Sequence, residues 1–200
     1  MTRNKSYSWK RVWDLPTRAF HWLLVISVCT GWWLGENLSF SNISWHFYLG
    51  YTTGGLVLFR LIWGLIGPKY IRLSALFHKP QTTLDYVAEM KSREPSGYPG
   101  HSPVGSLSVL GLLAVLALQV VTGLFAEADD LFSAGPLSSY VGSNIVQLAN
   151  AIHEINSKIL LAMVVLHLAA LMFYLIWKRE NLIRAMVTGK KMLLDKKDDI

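Results

Sequence analysis

Four of the six histidines lie inside or at the ends of long apolar segments, where a polar side chain usually has a partner or a function. Two of them, His153 and His167, are fourteen residues apart in one such segment. On an α-helix this spacing corresponds to a rise of about 21 Å and to a rotation about 40° short of four full turns. The two imidazoles therefore leave nearly the same face of one helix, at two different depths.

Depth sorts the four histidines into two pairs. His46 and His153 fall near the outer ends of their helices, and His21 and His167 fall in the cytoplasmic half. Two facing imidazoles suit the two axial positions of a haem iron, and no nearby thiolates or carboxylates suggest a zinc or di-iron site. The chain lacks a CxxCH motif, so the predicted haem is non-covalent and b-type. The alternative is four unrelated histidines that hydrogen-bond to backbone carbonyls.

The elements that must position these histidines are four apolar segments, each close to the roughly 20 residues that span a bilayer. The predicted transmembrane helices cover about residues 20–35, 45–67, 104–125 and 154–177. Because backbone groups in lipid must be satisfied within helices, the sequence predicts an all-α, up-down four-helix bundle that binds two haems b. One membrane domain is expected over residues 1–200, with a loop at 68–103 on the cytoplasmic side and an outer loop at 126–153.

The charge distribution sets the orientation. Lysines and arginines concentrate at the N terminus, in residues 68–103 and at the C terminus, where Lys178 and Lys191 are examples. The two outer loops contain no lysine or arginine and carry the acidic residues Glu36, Glu127, Asp129 and Asp130. By the positive-inside rule both termini and the middle loop are cytoplasmic. We expect the basic segments to contact anionic membrane lipid and not nucleic acid.

Two glycines and one arginine follow His46 on its own helical face. Gly50 and Gly54 would let a porphyrin lie against the backbone, although the same residues also suit an ordinary small-xxx-small helix contact. Arg60 is fourteen residues after His46, at the depth of the inner histidines. An arginine there needs an anionic partner, such as a haem propionate or a quinone headgroup, or a route by which its side chain reaches the cytoplasmic surface.

Four stretches resemble the bacterial cytochrome b561 family, which includes the b-type cytochrome subunits of nickel-iron hydrogenases. They are "LPTRAFHW", "WHFYLGYTTGGLVLFRLIWGLIG", "GHSPVGSLSVLGLLAVLALQVVTGLF" and "HEINSKILLAMVVLHLAALMFYLIWKRENLIRAMVTGKK". The resemblance runs from about Val12 to Lys191. It implies a multi-pass protein of the bacterial inner membrane with two bis-histidine haems b, whose iron ligands are His21, His46, His153 and His167.

The resemblance also implies electron transfer between the periplasmic side and membrane quinone, with ubiquinone as the expected substrate. Arg60 and Trp63 are candidate neighbours of the quinone. The periplasmic partner is expected to be a cytochrome c, superoxide or a redox enzyme subunit. The acidic outer loops would repel superoxide at long range, which Lys158 could offset. A superoxide:ubiquinone oxidoreductase, a b-type cytochrome subunit of a hydrogenase-like complex and a haem-free transporter stay open as alternatives, and so does whether the chain is an enzyme.

Overall fold

The computed structural model describes residues 7–128 and 132–194. Asp129 and Asp130 of the predicted acidic loop, and the outermost residues of both basic tails, lie outside the described residues. The described chain is mostly helical, and its elements in order are β1 (Tyr7–Arg11), α1 (Leu15–Glu36), α2 (Ile43–Ile66), α3 (Pro80–Glu89), α4 (Pro103–Phe125), β2 (Glu127–Ala128), β3 (Ser133–Ala134), α5 (Ser143–Ile176), α6 (Leu182–Thr188) and β4 (Lys190–Leu194). The predicted helical class is confirmed, and the short strands were not predicted.

Three of the described helices, α2, α4 and α5, are long and apolar enough to cross a membrane. The 22-residue helix α1 is not among these three, because Arg18, His21 and three tryptophans lower its mean hydropathy. Membrane crossing by α1 therefore stays a prediction. Helix α5 begins at Ser143, well before the predicted start of the fourth span.

The chain divides into two compact units. The first, here called the helical unit, consists of Phe20–Ile62 and Leu110–Leu166. Its apolar core takes one buried residue from each of α2, α4 and α5, with partly buried residues of α1 packed against them: Val57, Leu116 and Leu160, then Leu24 and Val28. Four helical segments thus contribute to one apolar centre.

The second unit, here called the terminal unit, consists of Met1–Ala19, Trp63–Val109 and His167–Ile200. In it β1 pairs antiparallel with β4, and Arg11 lies opposite Lys190. Its core brings residues before α1 together with residues of the middle loop and the C-terminal segment: Val12, Trp13, Ile71, Ala185 and Leu193. Residues far apart in sequence therefore fold together in the unit whose segments contain most of the lysines and arginines.

Helix α6 begins and ends at two local signals. The side chain of Asn181 accepts a hydrogen bond from the Arg184 backbone N–H at 2.8 Å, which caps the first turn. Gly189 ends the helix with φ of +77°, and a Cβ at this position would lie 2.5 Å from the carbonyl oxygen of Trp13. Only glycine allows both the left-handed conformation and this close approach, so the chain can turn directly into β4.

Two lysines of the C-terminal segment are buried, contrary to the expectation that they contact lipid. Lys191 is 6% exposed and forms an ion pair with Glu180, with 2.6 Å between Nζ and Oε1. Lys178 is 2% exposed and donates hydrogen bonds to the backbone carbonyls of Glu89 and Ser92. Buried ammonium groups need such partners, which the middle loop and the C-terminal segment supply. The interpretation as lipid contacts was wrong for these two residues.

Candidate functional site

The helical unit contains a cavity of about 390 Å³, lined by residues of α1, α2, α4 and α5 and by the residues that follow α4. Most of the lining is apolar, and several of its positions are glycines. His46 and His153 both line the cavity. Its volume falls within the roughly 300–1,000 Å³ typical of ligand and cofactor sites.

The two imidazoles lie beside each other in this cavity. The centroids of the His46 and His153 rings are 6.3 Å apart, and their planes are inclined by 79°. The fold therefore brings these two residues together, as the predicted pairing requires. Two imidazoles that share one metal ion, each with a metal–nitrogen bond of about 2 Å, hold their ring centres roughly 6 Å apart. The observed spacing fits an axial ligand pair.

His46 has one ring nitrogen fixed by the backbone of α1. Its Nδ1 lies 3.0 Å from the carbonyl oxygen of Gly31. A carbonyl can only accept, so Nδ1 carries the hydrogen and Nε2 keeps its lone pair. This is the arrangement of a metal-ligating histidine, in which the second nitrogen donates to a carbonyl and sets the tautomer.

His153 has the same tautomer, set by side chains of α4. Its Nδ1 lies 3.1 Å from Oγ1 of Thr122, whose hydroxyl donates at 2.8 Å to the carbonyl oxygen of Leu118. The Thr122 oxygen therefore accepts from Nδ1–H, and the lone pair lies on Nε2. That nitrogen is 3.1 Å from the amide nitrogen of Gln119, which can only donate. Neither Thr122 nor Gln119 was identified from the sequence.

Glycines leave room for the two rings. A Cβ built at Gly123 would lie 3.0 Å from Cε1 of His153, and one built at Gly35 would lie 3.2 Å from Cε1 of His46. Both distances are tighter than ordinary contact, so any side chain there would push on an imidazole. Sequence reasoning missed both positions. The available signal was a glycine near the end of each apolar helix, in "WWLGE" and "VTGLF".

The two glycines expected beside the cofactor occupy different surroundings. Gly50 lines the cavity, and a Cβ there would meet no atom within 4 Å. Gly54 packs against α4, where a Cβ would lie 3.0 Å from Cγ1 of Val120. The contact of Gly54 is the close helix approach that small residues permit.

The remaining sequence candidates lie in both units. Arg60 is 5% exposed, and its Nη1 has no hydrogen-bond partner among the described residues. This burial speaks against a side chain that reaches the surface. His21, on α1 in the helical unit, makes an edge contact with Trp22 at 5.2 Å between centroids. His167 belongs to α5 in the terminal unit.

Trp63 and the two histidines without an expected haem also lie in the terminal unit. The Trp63 indole N–H donates to Oδ2 of Asp14 at 3.1 Å. Nε2 of His78 lies 3.1 Å from the Ser106 hydroxyl oxygen. The His101 ring packs against Trp13 at 4.8 Å between centroids. These contacts give each side chain a role inside the terminal unit.

A buried hydroxyl cluster in the terminal unit was not predicted. The phenol oxygens of Tyr86 and Tyr174 are 2.6 Å apart, and the Ser102 hydroxyl oxygen is 3.1 Å from that of Tyr174. Burial, followed by the hydrogen bond with Tyr174, raises the pKa of Tyr86 well above its usual range. The Tyr86 phenol therefore stays protonated at physiological pH.

The cavity suits a cofactor that brings its own equatorial ligands. No group of three or more histidine, cysteine or carboxylate side chains capable of holding a metal ion occurs among residues 7–128 and 132–194. Two imidazoles whose lone pairs lie on Nε2, an apolar lining and glycines against both rings match the needs of a bis-histidine haem. The residues present fit this group.

Comparison with known proteins points the same way. A family model described as prokaryotic cytochrome b561 matches residues 12–189. A probable Ni/Fe-hydrogenase B-type cytochrome subunit of Bradyrhizobium diazoefficiens is 23% identical, with 92% of this chain and 86% of the relative covered. The corresponding subunit of Azotobacter vinelandii is 27% identical over 94% and 90%. A probable Ni/Fe-hydrogenase 1 B-type cytochrome subunit of Escherichia coli K12 is 24% identical over 89% and 88%.

Proposed function

Because the chain belongs to the prokaryotic cytochrome b561 family, as its sequence motifs predicted, and is therefore a b-type cytochrome, we propose that it carries electrons through the membrane on two haems b. Electrons would pass between a redox partner on the periplasmic side and membrane quinone, with ubiquinone as the quinone. The observation that carries this proposal is the His46–His153 pair, 6.3 Å between centroids, in a cavity of cofactor size.

At the outer site His46 and His153 would hold the iron through Nε2. A bound haem supplies reversible one-electron transfer between the ferric and ferrous states. The Gly31 carbonyl and the Thr122 hydroxyl keep the hydrogen of each imidazole on Nδ1. Most of the lining is apolar, and a haem held by both imidazoles would transfer electrons without binding a substrate at its iron.

The second haem is proposed from the sequence alone, with His21 and His167 as its ligands. The fourteen-residue spacing of His153 and His167 on one helix is the support. Arg60 is proposed as the partner of an anionic group, a haem propionate or the quinone headgroup, because its guanidinium is buried. Gly50 and Gly54 are proposed to make room for a porphyrin. The position of Gly50 in the cavity lining supports its role, whereas the contact of Gly54 with Val120 favours a helix-packing role for Gly54.

The proposed architecture is an up-down four-helix bundle in the bacterial inner membrane with both termini in the cytoplasm. Three helices can cross by length and composition, yet three crossings would leave the termini on opposite sides. Both ends of the chain are rich in lysine and arginine, so the positive-inside rule requires an even number of crossings. Crossing by α1 satisfies it, with the 68–103 loop in the cytoplasm and the 126–153 loop in the periplasm.

A subunit role in a hydrogenase-like complex is the second candidate, favoured by the names of the relatives. In that case the periplasmic partner would be a redox enzyme subunit and the electron path would stay the same. Lys158, the cation considered for attracting superoxide, is exposed and paired with Glu154 at 2.8 Å.

The test is a count of haem per chain in the purified protein by pyridine haemochrome absorbance. We expect two haems b in the wild type, one after His46→Ala or His153→Ala, and two after His78→Ala, the matched histidine outside the proposed ligand set. The wild-type haems should be reduced by a quinol and reoxidised by its quinone. A colourless wild-type protein, or variants that keep both haems, would overturn the proposal.

A further inference from the structure

A buried polar network on α4 and α5 contacts His153, one of the two histidines of the outer site (His46 and His153). Asn156, only 3% exposed, donates from Nδ2 to the Val115 carbonyl oxygen at 3.0 Å and to Oε1 of Gln119 at 2.6 Å. The Gln119 amide nitrogen lies 3.1 Å from Nε2 of His153 and 3.2 Å from the His153 carbonyl oxygen. Polar groups in such surroundings are expensive to bury unless all of them are satisfied.

Each link of the network fixes the direction of the next. The Val115 carbonyl can only accept, so the Asn156 atom that meets it is the NH₂ group. The second hydrogen of that group then requires the oxygen of Gln119, which turns the Gln119 NH₂ towards His153. One of its hydrogens satisfies the His153 carbonyl and the other meets Nε2 of the ring. The ring nitrogen that faces Gln119 must therefore carry the lone pair.

The opposite side of the ring gives the same result. Thr122 donates its own hydrogen to a helix carbonyl, so its oxygen accepts from Nδ1–H of His153. His153 is thereby held neutral, with one tautomer set from both sides. For His46 the tautomer is set from Nδ1 by the Gly31 carbonyl. Nε2 of His153, the proposed ligand atom, thus accepts a hydrogen bond from the Gln119 amide. A metal ion bound at Nε2 would have to replace this hydrogen bond.

We propose that Gln119, oriented by Asn156, is a positioning residue that keeps the Nε2 lone pair of His153 available to the outer haem iron. The proposal rests on the proposed haem function. If Nε2 of His153 held iron, Gln119 would lose its hydrogen bond to that nitrogen but could keep its bonds to Asn156 and to the His153 carbonyl. Gln119 therefore holds the ligand ready without competing as a second ligand.

Gln119→Glu tests the direction of the donor. The carboxylate keeps the size of the side chain and still accepts from Asn156, but it presents an acceptor to the ring. Nε2 would then carry a hydrogen that iron must displace. We expect the outer haem to transfer to excess apomyoglobin at least about ten times faster than in the wild type. Its midpoint potential and low-spin electron paramagnetic resonance signal should also shift, with those of the inner haem unchanged.

Three further variants separate positioning from general damage. Gln119→Leu and Asn156→Leu remove the oriented donor without adding an acceptor, so both should shift the potential of the outer haem with a smaller effect on haem transfer. Gln147→Leu, at an exposed position on α5, should behave as the wild type. If the Gln119→Glu variant fails to insert into the membrane, Asn156→Leu decides the test. A retained inner haem shows that the bundle has folded.

The outcomes of this test differ from those of the haem count. If His153→Ala loses the outer haem while the Gln119 and Asn156 variants keep its wild-type transfer rate, potential and resonance signal, the positioning role is wrong and the cytochrome function stands. If the wild type carries no haem, both proposals fall. Selective weakening or shift of the outer haem in these variants supports the network as assigned.

Discussion

The imidazole rings of His46 and His153 lie 6.3 Å apart between centroids, although more than half of the chain separates them in sequence. His46 stands near the start of α2 and His153 within α5. Gly31 of α1 sets the tautomer of the first ring and Thr122 of α4 that of the second. Four helices therefore contribute to one ligand pair, so a small displacement of any of them should be measurable at the outer site.

Substitution at Gly123 should disturb the outer site, whereas substitution at a glycine elsewhere with an equally short Cβ contact should not. In Gly123→Ala the new Cβ would lie 3.0 Å from Cε1 of His153, which is held by Thr122 and Gln119 and cannot easily yield. We expect lower haem content or an altered low-spin signal for the outer haem only.

Gly111→Ala is the matched control for this substitution. Its Cβ would also lie at 3.0 Å, but against the flexible end of Met163. That side chain can move, and alanine is favoured over glycine inside a helix by about 0.5–1 kcal/mol. Gly111→Ala should therefore keep both haems and unfold at the wild-type temperature or slightly above it. Equal effects of the two substitutions would contradict the role given to Gly123.

Spacing and hydropathy predict the ligand pair but not what supports it. Fourteen residues between His153 and His167 fix a helical face from sequence alone, and apolar length fixes which segments can cross. The Gln119–Asn156 network has no such signal, because it depends on which faces of α4 and α5 meet. Lys178 and Lys191 were misinterpreted for a similar reason. A charged side chain is expected at the surface from sequence alone. Only the structure shows the carbonyl and carboxylate partners that allow these two lysines to be buried.

Loss of the Arg60 charge should weaken the binding of haem or quinone without unfolding the protein. The guanidinium is buried, and its proposed partner is a haem propionate or a quinone headgroup. Arg60→Met should lower haem content or raise the KM for a soluble quinol at least about tenfold, since a hydrogen bond to a charged group contributes about 1.5–3 kcal/mol. Arg60→Lys should fall between, because it keeps the charge and loses the planar fork.

The comparison variant for Arg60 is Arg93→Met. Arg93 is exposed and stacks on the Trp177 ring at 4.6 Å in the terminal unit. It should keep wild-type haem content and quinol kinetics. Wild-type values for Arg60→Met as well would leave Arg60 without a cofactor or quinone role.

Breaking the Lys191–Glu180 pair should strongly destabilise the terminal unit. Both side chains are buried, and removal of one partner leaves the other charge without compensation, which typically costs about 3–5 kcal/mol. Lys191→Met and Glu180→Met should each lower the unfolding temperature in detergent. The double variant should recover part of the loss, because no isolated charge remains.

An exposed pair provides the control for this prediction. Nζ of Lys158 and Oε1 of Glu154 lie 2.8 Å apart, close to the 2.6 Å of the buried pair, but both side chains are largely solvent-exposed. Lys158→Met should leave the unfolding temperature within experimental error, as expected for a surface pair. If the buried and exposed substitutions had the same small effect, the buried pair would not contribute to the stability of the fold.

Replacement of Tyr86 should make the protein less sensitive to alkali. Burial and the hydrogen bond with Tyr174 raise the pKa of Tyr86 in the folded protein, whereas an unfolded tyrosine has a pKa of about 10. The folded state thus keeps a proton that the unfolded state releases. The stability contributed by this group is complete below about pH 10 and is lost as the pH rises towards the folded-state pKa.

Thermal unfolding in detergent between about pH 8 and pH 11 measures this effect. Tyr86→Phe should lose about 1 kcal/mol of stability at neutral pH with its hydrogen bond. Above about pH 10 its unfolding temperature should fall less steeply than that of the wild type. Tyr140→Phe, at a residue that is 81% exposed, should follow the wild-type curve. An alkaline slope in Tyr86→Phe equal to that of the wild type would show that the buried Tyr86–Tyr174 contact does not hold the Tyr86 proton.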